Sequence, residues 1–152
     1  EDGNDHCFVA GTLVTTDSAP LHLLVAAMLA ASAERRGIHT LRDPTRGGVV
    51  AAVVEIARAA GVGIRLDEGA IPVPEAVASA CGFLGLDPLQ VANEGKLIAF
   101  VDPADTDAVL AAMQARPEGA GAAVIGKVVG TTTFGTTRVI ERELGEQLPR
   151  IC

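Results

Sequence analysis

Leu41-Arg42-Asp43-Pro44-Thr45-Arg46-Gly47-Gly48 is the stretch on which the fold turns. Before it, Ile38 to Leu41 reads as a short strand. After it, Val49 to Ala60 reads as a helix with Val49, Val53, Ile56 and Ala60 on one stripe and Gly61 as its terminator. Two glycines at the mouth of a helix let the backbone approach closely, and the exposed amides and helix dipole there favour an anion. Arg46 adds a planar fork suited to phosphate or carboxylate, and Asp43 can orient that arginine or help to hold Mg²⁺. A plainer reading stands beside this one: Asp43 or Thr45 caps the helix, Pro44 sits in its first turn, and the glycines are only a tight turn. The pattern is not a Walker motif, so on the residues alone both readings remain open.

Working outward, helix and strand signals alternate. Pro20 to Arg36 reads as a helix with Asp17 or Ser18 near its cap and Gly37 as its stop. Val62 to Leu66 and Lys96 to Val101 read as strands, with short helices at Pro74 to Ala80 and Pro88 to Ala92 between them. Pro103 to Ala115 reads as an amphipathic helix burying Val109 and Met113, and strands are expected near Ala123 to Val129 and Thr136 to Glu141. This alternation predicts a layered α/β (α+β) domain. No repeat or low-complexity block interrupts it.

With 152 residues, 49% hydrophobic and 20% charged, the chain can bury a sizeable core as one domain. Its net charge of −7 opposes a polyanionic partner, so neither nucleic acid nor an anionic membrane surface is expected. The most apolar run, Leu21 to Ala33, falls short of the ~20 residues a spanning helix needs and suits a core helix. No signal peptide is recognisable ahead of it. Cys7, Cys81 and Cys152 are odd in number and irregular in spacing, which fits neither a disulfide framework nor paired metal knuckles, so a reducing cytoplasm is expected. His6, His22 and His39 have no ligand spacing, and no metal site of the chain's own is expected. Cys81 reads as a small packing hydrophobe.

Two further features carry possible chemistry. Glu94, in Val91-Ala92-Asn93-Glu94-Gly95-Lys96, precedes an apolar strand, so its carboxylate is expected at a strand mouth, partly buried, where it can act as a general base. The alternative is a solvated turn glutamate. Cys152 ends the polar stretch Glu143 to Cys152, which at about 3.3 Å per residue can reach on the order of 33 Å. Its α-carboxylate opposes thiolate formation, with Arg150 a partial offset, and an incidental thiol is the alternative to a mobile carrier.

The loop from Leu41 to Gly48, the Asn-Glu-Gly segment and the ending Pro149-Arg150-Ile151-Cys152 together resemble the C-terminal half of the HypE family of hydrogenase expression/formation proteins. Those proteins form part of a superfamily with aminoimidazole ribonucleotide synthetase, selenophosphate synthetase and thiamine monophosphate kinase. The resemblance runs from about Thr15, includes Asp17-Ser18-Ala19-Pro20-Leu21, and leaves residues 1–11 unmatched. It implies an unassigned segment at 1–14, a synthetase-like domain at 15–142 with helices on a mixed sheet, and a flexible tail at 143–152. It implies a carbamoyl dehydratase in which the carbamoyltransferase HypF loads Cys152. ATP then activates the carbamoyl oxygen, Glu94 takes protons from nitrogen, and the resulting cyanide passes to iron held by HypC and HypD. Asp43, Thr45, Arg46, Gly47 and Gly48 become the phosphate-side loop. Most Mg²⁺ ligands and the homodimer interface are expected in an N-terminal domain not contained in this sequence, which would leave the domain inactive alone. The alternatives are another ATP-dependent synthetase or kinase of the superfamily, or a non-catalytic docking domain.

Overall fold

The structure, a computed structural model, describes residues 6–9, 12–15, 18–33 and 36–131. In chain order the elements are strands β1 (His6–Val9) and β2 (Thr12–Thr15), helix α1 (His22–Ala31), strand β3 (Ile38–Arg42), helix α2 (Gly48–Ala60), strand β4 (Val62–Leu66), helix α3 (Glu75–Leu84), strand β5 (Ile98–Val101), helix α4 (Thr106–Gln114) and strand β6 (Gly126–Thr131). The α/β layering follows the expected alternation. Every described pairing is antiparallel: β1 with β2, β3 with β5, and β4 with β6. The strand expected at Thr136 to Glu141 lies outside the described residues. Among those described, no helix is long and apolar enough to cross a membrane.

The β3–β5 ladder is covered on both faces, and the alternation of side chains along β5 sorts the core into two halves. Ile98 and Phe100 pack with Val49, Ala52, Val53 and Ala57 of α2 and with Ile64 and Leu66 of β4. Ala99 and Val101 pack instead with Leu24 and Met28 of α1 and Val109 of α4. On α2 the buried stripe takes in Ala52 and Ala57 rather than Ala60, which is exposed at the last turn. The αL residue Gly61 ends this helix as expected, with φ 65° and its N–H on the Ala57 carbonyl.

The first helix is shorter than its sequence suggests, beginning at His22 rather than Pro20 and ending at Ala31 rather than near Gly37. A polar contact far along the chain explains the early stop. Ser32 is extended, and its hydroxyl donates to Asp105 Oδ2 at 2.7 Å while accepting from the Gly37 N–H at 2.9 Å. The Ala33 N–H also donates to Asp105 Oδ2, at 2.8 Å. Asp105 in turn is the residue before α4, yet its carboxylate does not cap that helix because it is committed to the end of α1. Both Ser32 and Asp105 are buried, so the network must be complete to be tolerated.

A second close contact fixes the start of α2. Gly48 has φ 64°, and a β-carbon built on it would lie 2.7 Å from the Val91 carbonyl oxygen and still nearer to that of Leu89. Residues 88–90 form one 3₁₀ turn in place of the longer helix expected there, with Asp87 Oδ1 accepting from the Leu89 N–H at 3.0 Å. Leu89 is buried beneath this turn.

Two stability measurements test these contacts. Asp105→Ala leaves the Ser32 hydroxyl and Ala33 N–H without their acceptor and should lower stability by about 2–4 kcal/mol in urea unfolding, whereas exposed Asp107→Ala should stay within about 0.5 kcal/mol. Gly61→Ala, with nothing near its added carbon, should cost about 1–2 kcal/mol, the usual strain of a non-glycine residue at positive φ. Gly48→Ala should cost clearly more in the same titration, because backbone carbonyls must also move aside.

Candidate functional site

The Leu41 to Gly48 segment leaves β3 at Arg42, whose guanidinium pairs with Glu55 of α2 at 2.7 Å. Both side chains are largely exposed, so this pair contributes at most about 1 kcal/mol and serves mainly to straddle the loop. Asp43 and Arg46 are exposed, Thr45 is half-buried, and Pro44 is fully buried. Gly47 is the N-cap of α2 in the left-handed region at φ 75°, and the Gly48 N–H closes a turn onto the Thr45 carbonyl at 3.2 Å.

This geometry removes the side-chain cap and the first-turn proline from the plainer reading of the loop and keeps its tight turn. The helix has no side-chain cap, so neither Asp43 nor Thr45 serves as one, and Pro44 lies four residues before the helix instead of in its first turn. No acidic residue occupies that first turn. An uncapped helix start reached through two glycines at positive φ, with Arg46 exposed alongside, has the donor chemistry of an anion cradle.

The structure brings the Asn-Glu-Gly segment to this loop. The Asn93 N–H donates to the Pro44 carbonyl at 3.0 Å, and the Asn93 side-chain Nδ2 donates to the Val91 carbonyl at 2.8 Å. Glu94 follows directly. It stands ahead of β5 in irregular chain and is exposed rather than partly buried. Sequence reading singled out Glu94 and passed over Asn93 and the Pro44 carbonyl. The available signal was an amide side chain immediately before the glutamate.

The other candidates fall elsewhere. Cys152 and the segment 143–152 lie outside the described residues, as does the side chain of Cys7. Cys81 is buried on α3, while His22 and His39 are exposed. Among the described residues no three His, Cys, Asp or Glu side chains gather to hold a metal. An apolar groove of about 220 Å³ lies between β5 and β6, lined by residues that include Leu97, Phe100, Leu110 and Val128; neither Asp43 nor Glu94 borders it.

Similarity to known proteins follows the same outline. A carbamoyl dehydratase HypE from Rhizobium leguminosarum bv. viciae is 54% identical, over 93% of this chain and 42% of its own length. A chain of a solved HypE–HypF complex superposes with a TM-score of 0.75 at 38% identity, over 86% of this chain and 44% of that one. A hydrogenase maturation protein HypE solved in complex with ATP gives a TM-score of 0.72 at 41% identity, over 80% of this chain and 35% of that one. This chain thus spans less than half the length of these relatives. The family described as AIR synthase related protein, C-terminal domain, matches residues 3–138, taking in most of the segment before Thr15. With so much of its sequence matched, the chain belongs to that family.

Proposed function

We propose that this chain is the C-terminal part of a HypE-type carbamoyl dehydratase, which makes cyanide ligands for the iron of nickel-iron hydrogenase. The observation that carries the reading is the hydrogen bond from Asn93 N–H to the Pro44 carbonyl, which unites an uncapped glycine loop with the segment bearing Glu94. The names of the relatives, carbamoyl dehydratase HypE, and the existence of related structures with ATP and with HypF support it.

In this reading Cys152 carries a carbamoyl group as a thiocarbamate, S–C(=O)–NH₂, loaded by HypF. ATP supplies the phosphoryl group that turns the carbamoyl oxygen into a leaving group. Phosphorylation of that oxygen releases ADP and one nitrogen proton, which passes to solvent, and leaves S–C(=NH)–OPO₃²⁻; Glu94 then accepts the remaining nitrogen proton as the C–O bond breaks and phosphate departs, giving S–C≡N. Dehydration is demanding because oxide and hydroxide leave poorly, and phosphate leaves well. Gly47, Gly48 and Thr45 shape the loop for phosphate oxygens, Arg46 offers a charge-assisted fork, and Asp43 orients that arginine. Most Mg²⁺ ligands would come from the N-terminal domain of the longer protein, with Asp43 able to contribute one carboxylate from this side. The segment 143–152 forms the arm that brings Cys152 to the loop. Delivery of cyanide to a HypC–HypD iron scaffold, a homodimer of the full-length protein and a cytoplasmic setting complete the proposal.

Two experiments test it. In the full-length protein supplied with HypF, carbamoyl phosphate and ATP, Glu94→Gln should load normally and then accumulate the carbamoyl adduct, as read by intact mass. Formation of the cyano adduct at the wild-type rate removes Glu94 from the mechanism. In the same assay Cys152→Ala should abolish loading while Cys81→Ala leaves it unchanged, and peptide mapping should find the added mass on Cys152 alone. A carbamoyl mass on Cys81 overturns the carrier assignment.

A further inference from the structure

Asn93 makes two hydrogen bonds in different directions, and both end on the loop's immediate surroundings. Its main-chain N–H reaches the carbonyl of Pro44, a residue with no exposed surface. Its side-chain nitrogen reaches back two residues to the Val91 carbonyl. That same Val91 oxygen is one of the atoms against which Gly48 packs, together with the Leu89 carbonyl and the Gln90 carbonyl carbon. One short piece of backbone, residues 89–91, is therefore pressed by Gly48 from one side and tied to Asn93 from the other.

A turn-forming asparagine commonly accepts, through its side-chain oxygen, from the N–H two residues ahead. Asn93 instead donates backward to a carbonyl, which can only accept, so the orientation of the amide is settled by its partner. Together with the Asn93 N–H bond to the Pro44 carbonyl, this bond anchors the residue that precedes Glu94 at two points. Glu94 is the next residue along the chain, so a shift in the backbone at Asn93 carries the exposed glutamate's carboxylate with it.

We infer that Asn93 is a positioning residue for Glu94: its own two hydrogen bonds, to the Val91 and Pro44 carbonyls, anchor the chain one residue before Glu94 and so set the distance and direction of the carboxylate relative to the phosphate-side loop. This rests on the reading of Glu94 as the base. The ligand chemistry it serves is a phosphorylated carbamoyl group lying between loop and carboxylate. An error of about 1 Å in such placement can reduce a rate by roughly 100-fold, so loss of one hydrogen bond has a measurable consequence.

Asn93→Asp provides the sharpest test, because it preserves shape but cannot donate to the Val91 carbonyl when ionised. In the full-length protein with HypF, carbamoyl phosphate and ATP, this variant should load at the wild-type rate and need a similar ATP concentration for half-maximal turnover. Its rate of cyano-adduct formation should fall by about tenfold or more. In a Glu94→Asp background, where the carboxylate is already displaced by one methylene, Asn93→Asp should cost no more than about threefold, the non-additivity expected of two residues acting through one group. Equal losses in both backgrounds indicate a general effect on the fold and overturn the inference. So does a wild-type rate for Asn93→Asp when Glu94→Gln is inactive, which leaves the base assignment standing. If Glu94→Gln itself dehydrates normally, the base reading and this inference fall together. Should Asn93→Asp fail to fold, Asn93→Ser, which keeps a hydroxyl donor, is carried through the same cycle with partial retention of rate expected and full additivity as the overturning result.

Discussion

Absence of a side chain at residue 48 is the constraint from which the site follows. Only a bare α-carbon lets the start of α2 rest against the carbonyls of Leu89 and Val91, and only that approach places residues 91–94 beside the loop after β3. The buried Pro44 carbonyl then finds its donor in Asn93, so a steric permission at one residue becomes a hydrogen bond at another. In the proposed function, binding chemistry and packing share these atoms. The first turn of α2 presents no capping side chain, and the segment held against it presents a carboxylate.

The β3–β5 ladder supplies the rigidity behind this arrangement. Because β5 sends alternate side chains to opposite cores, α2 cannot shift without disturbing Ile98 and Phe100, and α1 and α4 hold the other face through Ala99 and Val101. The Ser32–Asp105 pair locks α1 to the start of α4. Sites mounted on such doubly packed elements hold their geometry better than sites carried by loops alone.

Much of this was legible in the residues, and what was not has a common cause. The α2 boundaries could be read because Gly47, Gly48 and Gly61 act locally, through their own dihedral angles. Asp43 to Gly48 and Asn93 to Glu94 could be recognised as two separate motifs for the same reason. Their meeting could not, since it depends on Pro44 and Asn93, which are distant in sequence. The early end of α1 was hidden likewise: Ser32 looks like an ordinary helix residue until Asp105 arrives from far along the chain. Pro44 reads as a first-turn proline by composition and is instead a buried acceptor, a role that needs its partner to be visible. The antiparallel pairing of β3 with β5, and β4 with β6, is equally non-local, and short apolar runs do not announce their neighbours.

That pairing order has a consequence for synthesis. The ladders interleave along the sequence, each opening before the other has closed, so neither forms a self-contained hairpin. On a ribosome, β3 must wait for Val101 to emerge and β4 for Thr131. Throughout that interval the nascent chain presents two unpaired strand edges together with the apolar end of α3, where Phe83 and Leu84 remain exposed even after folding. Late closure of long-range pairs slows folding and lengthens exposure to wrong partners. The strand order itself thus sets how long these surfaces wait for their partners during translation.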